Sequence, residues 1–196
     1  MAFRLVCLAG IVLCLLHHGC APSQIDQIDE PPHPLKGKKA PLFTATLLDG
    51  APFDLSNHLG HEVIILDFWA TWCGPCREAL PTLSEVASAY QDRGVKLFAV
   101  DLGESPADVK TYLEQSGLPL TVVMDDDGSV AAAYGAEAIP QTVIIDRQGT
   151  VRFVHVGVSP GLRERLSREL DELVGEPVKN SAAPMARADA PPTLIH

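Results

Sequence analysis

Two thiols stand three positions apart in Trp72-Cys73-Gly74-Pro75-Cys76, and this spacing is the main chemical signal in the chain. An apolar run, Val63 to Trp69, precedes it. Behind it, Ala79, Leu80, Leu83, Val86, Ala87 and Tyr90 recur at three- and four-residue steps. The run reads as a strand buried on both faces and the recurrence as a helix. Cys73 then falls at the helix N-terminus, where unpaired N–H groups and the positive end of the dipole favour a thiolate, the reactive form of cysteine. Cys76, one turn on, can reach the same sulfur and close a small ring. Gly74 and Pro75 start the helix and keep the turn tight, so the pair can pass between dithiol and disulfide with little backbone motion. Two other readings compete. A four-cysteine zinc site needs a second pair, and no histidine pair follows at ligand spacing either. His155 alternates with Val154 and Val156 and reads as a surface or half-buried strand residue. A static disulfide would not need a Trp-flanked, exposed helix start. Redox activity is the reading these residues favour.

The elements that position this segment alternate along the chain. Leu42 to Leu48 meets the turn signal Asp49-Gly50, and Pro52 to Leu55 is the return strand. The helix after Pro75 contains Pro81, which should kink it, and Gly94 should end it. Val95 to Leu102 is the next strand. Ser105-Pro106-Ala107-Asp108 announces a second helix, with a capping serine, a proline at the first helical position and an acid three after the cap. It should stop at Gly117. Leu120 to Met124 is a strand, Asp125 to Gly128 a turn, and a short helix follows to Tyr134. Thr142 to Asp146 and Val151 to Val156 form a hairpin about Gln148-Gly149. Ser159-Pro160 should cap a last helix with Leu162, Leu166, Leu170, Leu173 and Val174 along one face. The order is hairpin, βαβαβ, then ββα, an α/β layered domain over residues 38–175, large enough for a proper core.

The ends read differently. Arg4 followed by the apolar block Leu5 to Leu16 suits an export signal over residues 1–20 and is short for a membrane span. Of five cysteines, Cys7 and Cys14 lie inside that block, leaving Cys20, Cys73 and Cys76. An odd number in an exported protein asks for an explanation. Residues 21–37 are a Pro-rich linker, with Lys36, Lys38 and Lys39 read as solvated, and residues 176–196 are a disordered tail. The chain has 196 residues, 46% hydrophobic and 20% charged, with a formal charge of −10. That balance gives no electrostatic footprint for a phosphate backbone, so nucleic acid is excluded as a partner.

Three segments carry resemblances. Cys20, after a small residue at the end of an apolar run, resembles the lipidation site of bacterial lipoproteins, although His17 and His18 stand where the pattern has aliphatic and small residues. The alternative is cleavage near Ala21, leaving Cys20 free or paired between chains. Asp67-Phe68-Trp69-Ala70-Thr71-Trp72-Cys73-Gly74-Pro75-Cys76-Arg77 resembles the thioredoxin active-site segment, and Ala138-Ile139-Pro140-Gln141-Thr142 the cis-proline loop that faces it. With the N-terminal hairpin, the insert around Val100 to Met124 and the Val143 to Gly149 hairpin, the chain resembles TlpA/ResA-like membrane-anchored thiol–disulfide oxidoreductases. The resemblance implies a thioredoxin-like fold, a central mixed sheet flanked by helices with an N-terminal β-hairpin extension. It implies Cys73 as attacking thiolate, Cys76 as resolving thiol and Pro140 as a cis residue that lets the Ile139 backbone pair with a bound substrate strand. Trp72 would shape the rim, with Gly74 and Pro75 beside it. Asp67 would be a buried proton acceptor for Cys76, its pKa raised by burial, rather than a strand-end acid facing solvent. No cofactor is implied beyond the Cys73–Cys76 couple.

The implied partners are disulfide-containing proteins, a membrane-embedded electron donor and, through Cys20, the membrane. The implied location is the periplasmic or extracytoplasmic face, with a role in cytochrome c biogenesis. Two departures stand out: Ala79 replaces a glutamate that several relatives carry, with the acid displaced to Glu78, and Gln141 replaces a frequent threonine near the docking surface. Gly74-Pro75 is thioredoxin's own dipeptide and favours the reducing end of a range that runs from about −270 to about −120 mV, roughly 7 kcal/mol. A peroxiredoxin-like peroxidase is one rival, but its Pro-x-x-x-Thr-x-x-Cys pattern is absent, Thr71 standing two before Cys73. A non-turnover metallochaperone or holdase is the other, without a methionine- or histidine-rich segment to support copper.

Overall fold

A computed structural model describes residues 33–175. The export segment, Cys20, the linker up to residue 32 and the tail after residue 175 lie outside the described residues. A seven-stranded mixed sheet has the order β2-β1-β5-β4-β3-β6-β7. Its strands are β1 (Thr44–Leu47), β2 (Pro52–Asp54), β3 (Val63–Trp69), β4 (Val95–Asp101), β5 (Val122–Met124), β6 (Gln141–Ile145) and β7 (Val151–Val156). The helices are α1 (Gly74–Ala89), α2 (Pro106–Ser116), α3 (Ser129–Ala133) and α4 (Leu162–Val174). β3 pairs parallel with β4 on one side and antiparallel with β6 on the other. The α/β class and the thioredoxin-like arrangement expected from the sequence are both present.

All seven residues of β3 are buried, because α1 and α4 cover one face while Val130 of the short α3, Tyr134 and the apolar side chains Phe53 and Leu55 pack on the other. Strand alternation divides its side chains. Ile64, Leu66 and Phe68 pack with Phe53, Leu55, Phe98, Val100 and Tyr134. Val63 and Ile65 pack under α1 and α4, against Leu83, Val86, Leu166 and Leu170. Trp69 continues that second face among Cys76, Leu80 and Val109. Asp67, between Ile65 and Trp69, therefore points to the helix-covered face as the one charged side chain of the strand.

α2 follows its sequence signals closely. Ser105 caps it by accepting from Asp108 N–H, Pro106 opens it, and Gly117 ends it at φ 68°, a left-handed conformation that glycine adopts without a Cβ clash. Other boundaries differ. α4 starts at Leu162 with Gly161 as its cap at φ 73° and no side-chain cap bond, so Ser159-Pro160 lies outside the helix. α1 continues through Pro81 to Ala89, and a separate 3-10 turn, Gln91–Arg93, intervenes before Gly94. The five residues expected at the end of the linker, 33–37, are joined to the domain instead. Gly37 N–H donates to Val151 O at 2.8 Å, Val151 N–H returns to Lys38 O, and Leu35 packs against the core. Lys39 is not merely solvated: its Nζ donates to Gln148 O at 2.6 Å. The apolar Leu35 within the Pro-rich stretch is what draws this segment in.

Candidate active site

The loop between β3 and α1 carries the thiols to the end of the sheet. Cys73 is the N-cap of α1, with extended backbone (φ −81°, ψ 102°) and Pro75 in the first turn. Cys73 and Cys76 form a disulfide, with S–S 2.00 Å and Cα atoms 5.3 Å apart. Cys73 Sγ also accepts from the Cys76 backbone N–H at 3.2 Å. That N–H is one of the helix-end donors without an intrahelical acceptor, so the site that bonds the sulfur here also stabilises negative charge on it once the pair is reduced. Cys76 is fully buried, and Cys73 is 6% exposed at the surface edge of the same cluster. Trp72 is 68% exposed beside it.

The facing loop leads into β6. The Ile139–Pro140 peptide bond is cis, and Ile139 O lies 3.9 Å from Cys73 Sγ. The residues singled out from the sequence, Cys73, Cys76, Trp72, Gly74, Pro75, Ile139 and Pro140, thus gather at one end of the sheet. Asp67 sits below them, fully buried on the face that α1 covers. It does not face solvent. Burial, with no cation offsetting it, raises its pKa to about 7, and a hydrogen bond from Thr142 opposes the rise. A carboxyl at that value can take up and give back a proton near neutrality.

Gln141 departs from expectation. Rather than lining the docking surface, it is buried, and its Nε2 donates to Tyr134 O at 3.0 Å. Its side chain turns inward because β6 is a central strand whose residues are all buried. Glu78 is exposed and Ala79 buried on α1, consistent with the acid lying on a different helix face from the one that meets the core.

Three further residues were not apparent from the sequence. Thr142 Oγ1 donates to Asp67 Oδ1 at 2.8 Å. Glu104 holds the loop just before the thiols: its carboxylate accepts from Thr71 N–H and from Thr71 Oγ1, both at 2.5 Å. Asp101, at the end of β4, accepts from Glu104 N–H at 3.0 Å. Burial first, and the neighbouring Glu104 carboxyl second, raise the Asp101 pKa to about 7. The clue available in the sequence was an Asp101-x-x-Glu104 pair just past a buried strand. Beside Trp72, a solvent-open pocket of about 330 Å³ is lined by Thr71, Arg77, Glu104, Asp108 and Tyr112 among others.

Residues 36–154 match the AhpC/TSA family. The chain belongs to that family. Among its relatives, the thiol-disulfide oxidoreductase ResA of Geobacillus thermodenitrificans (strain NG80-2) is 34% identical over 137 residues, spanning 70% of this chain and 77% of that one. A Chlorobium tepidum structure, proposed to be a thiol:disulfide interchange protein DsbE, is similar at 36% identity and a TM-score of 0.66, covering 71% of this chain and 98% of that one. The secreted Mycobacterium tuberculosis disulfide oxidoreductase homologous to E. coli DsbE is similar at 29% identity and a TM-score of 0.59, covering 67% and 96%. The protein is a thioredoxin-like thiol–disulfide oxidoreductase, as its active-site sequence implied.

Proposed function

We propose that this oxidoreductase is exported, tethered to a membrane through Cys20, and works as a reductase of protein disulfides, with cytochrome c maturation as its setting. The observation that carries the chemistry is a Cys73–Cys76 disulfide at a helix N-terminus over a buried acid, with the Ile139–Pro140 loop opposite. In the reduced enzyme, the Cys73 thiolate attacks a substrate disulfide, forming a Cys73–substrate S–S bond and expelling one substrate thiolate. Asp67 takes the Cys76 proton. The Cys76 sulfur then attacks Cys73 Sγ, re-forming the internal disulfide and releasing the second substrate thiolate. Two electrons pass from the enzyme dithiol to the substrate, and a membrane-embedded donor restores the dithiol. The exposed Trp72 and the Ile139 backbone offer an apolar and a hydrogen-bonding contact to the substrate segment on either side of the sulfur. The extracytoplasmic setting is supported by the apolar segment ahead of Cys20 and by likeness to a secreted oxidoreductase.

Equilibration of the full chain with thiol–disulfide buffers, alongside insulin-reduction and peroxide-consumption assays, tests the direction. The expected result is insulin reduction and a Cys73–Cys76 potential nearer about −270 mV than about −120 mV. A potential at the oxidising end, or peroxide consumption without disulfide reduction, would overturn the reductase reading.

A further inference from the structure

Asp67 has two oxygens in different situations. Oδ1 accepts the Thr142 hydroxyl at 2.8 Å. Oδ2 is buried with no hydrogen-bond partner. The pairing follows from register: Asp67 and Thr142 are direct cross-strand partners on β3 and β6, with side chains on the same helix-covered face. A threonine hydroxyl has one proton to donate, and in this geometry it spends that proton on Oδ1, leaving Oδ2 as the free acceptor. Cys76 is buried in the α1 layer on that same face, with Trp69 and Leu80.

We infer that Thr142 is a positioning residue for the resolving half of the reaction: its hydroxyl holds the Asp67 carboxylate by one oxygen, so that the other receives the Cys76 proton. The inference rests on Asp67 acting as the base proposed above. A donor on a carboxylate favours its charged form, so Thr142 works against burial and keeps enough Asp67 ionised at neutral pH to act. The groups around Asp67 are few. Its β4 partner is Ala99, with Asp101 two residues further along that strand. α1 presents Cys76. Beyond Thr142 in the same row stands His155 on β7, whose Nε2 lies 2.8 Å from Glu169 Oε2 of α4. With the Cys73–Cys76 disulfide closed, burial raises the Asp67 pKa and the Thr142 hydrogen bond opposes the rise.

The test is stopped-flow reaction of the reduced full chain with an aromatic disulfide that releases a coloured thiolate, dithiobis(nitrobenzoate). The first colour release reports attack by Cys73 and the second reports resolution by Cys76, so one trace carries its own control for an intact site. In the wild type, the second phase should accelerate as pH rises through the Asp67 titration, and Asp67→Asn should abolish that limb while Asp101→Asn leaves it in place. Thr142→Val should move the limb up by about one pH unit or more and slow the second phase about tenfold at pH 6, below both midpoints, where each unit is a factor of ten. The first phase should stay unchanged. Thr142→Ser, which keeps the donor, should return the second phase to within about threefold of the wild type. A Thr142→Val profile that overlays the wild type, a first phase slowed as much as the second, or a Thr142→Ser variant as slow as Thr142→Val would overturn the role of Thr142. A limb that survives Asp67→Asn would instead overturn the base reading beneath it.

Discussion

At the scale of single residues, Asp67 is where stability and chemistry meet. Its folded pKa of about 7 lies above the ordinary carboxylate value because burial disfavours the charge. Between about pH 4 and 7 the folded chain therefore binds a proton that the unfolded chain has released. The stability associated with that proton is fully present below the unfolded pKa, and it is lost as pH rises through the folded one. Asp67→Asn carries no such penalty. In urea unfolding of the oxidised protein, the Asn variant should match the wild type near pH 4 and exceed it at pH 8 by up to about 4 kcal/mol. A gap that stays constant across that range would show that Asp67 is not held protonated by burial. The presence of Asp67 in an apolar run was legible in the sequence, since one charge among seven buried residues needs a reason. Its partner Thr142 was not, because the two lie 75 residues apart and only the antiparallel register of β3 and β6 brings them together.

At the scale of elements, the redox loop is held from two sides. α1 supplies the N–H that bonds Cys73 Sγ, and the segment between β4 and α2 supplies Glu104, which grips Thr71 through two hydrogen bonds. Glu104→Ala leaves a partly buried N–H and hydroxyl without their acceptor. It should cost about 1–3 kcal/mol in urea unfolding and slow the first phase of thiol attack, while lowering the Asp101 pKa by removing a neighbouring carboxyl. Unchanged stability together with an unchanged first phase would mean that the grip does not hold the loop. The ends of α2 could be read from Ser105, Pro106 and Gly117 because each acts locally, through a side-chain cap, a fixed φ and a left-handed turn. Ser105→Ala should cost about 1 kcal/mol in the same measurement, and a variant as stable as the wild type would count against the cap. The start of α4 was misplaced for a related reason: Ser159-Pro160 carries the same local signal, but the left-handed Gly161 lies between it and the first helical residue.

At the scale of the whole molecule, the succession of elements and the two-sided burial of β3 followed from the alternation of apolar runs with helical periodicity, and the thiol pair was legible from spacing alone; the order of strands across the sheet, set by pairings between distant segments, was not. Less legible was how the N-terminal stretch meets the domain. Proline content pointed to a spacer up to residue 37, yet Leu35 and the Gly37–Val151 hydrogen bond tie residues 33–37 to the hairpin edge. If the chain is held to a membrane through Cys20, Cys20→Ser should shift it from the membrane to the soluble extracytoplasmic fraction without changing insulin reduction in vitro, and equal membrane retention by the variant would contradict the tether. The division of labour between the two sulfurs is tested most directly by trapping. In cells carrying the Cys76→Ser chain, thiol-blocked non-reducing gels should show mixed disulfides between Cys73 and substrate proteins that reductant dissolves, and Cys73→Ser should show few or none. Equal trapping by both variants, or by Cys73→Ser alone, would contradict the assignment of Cys73 as the attacking sulfur.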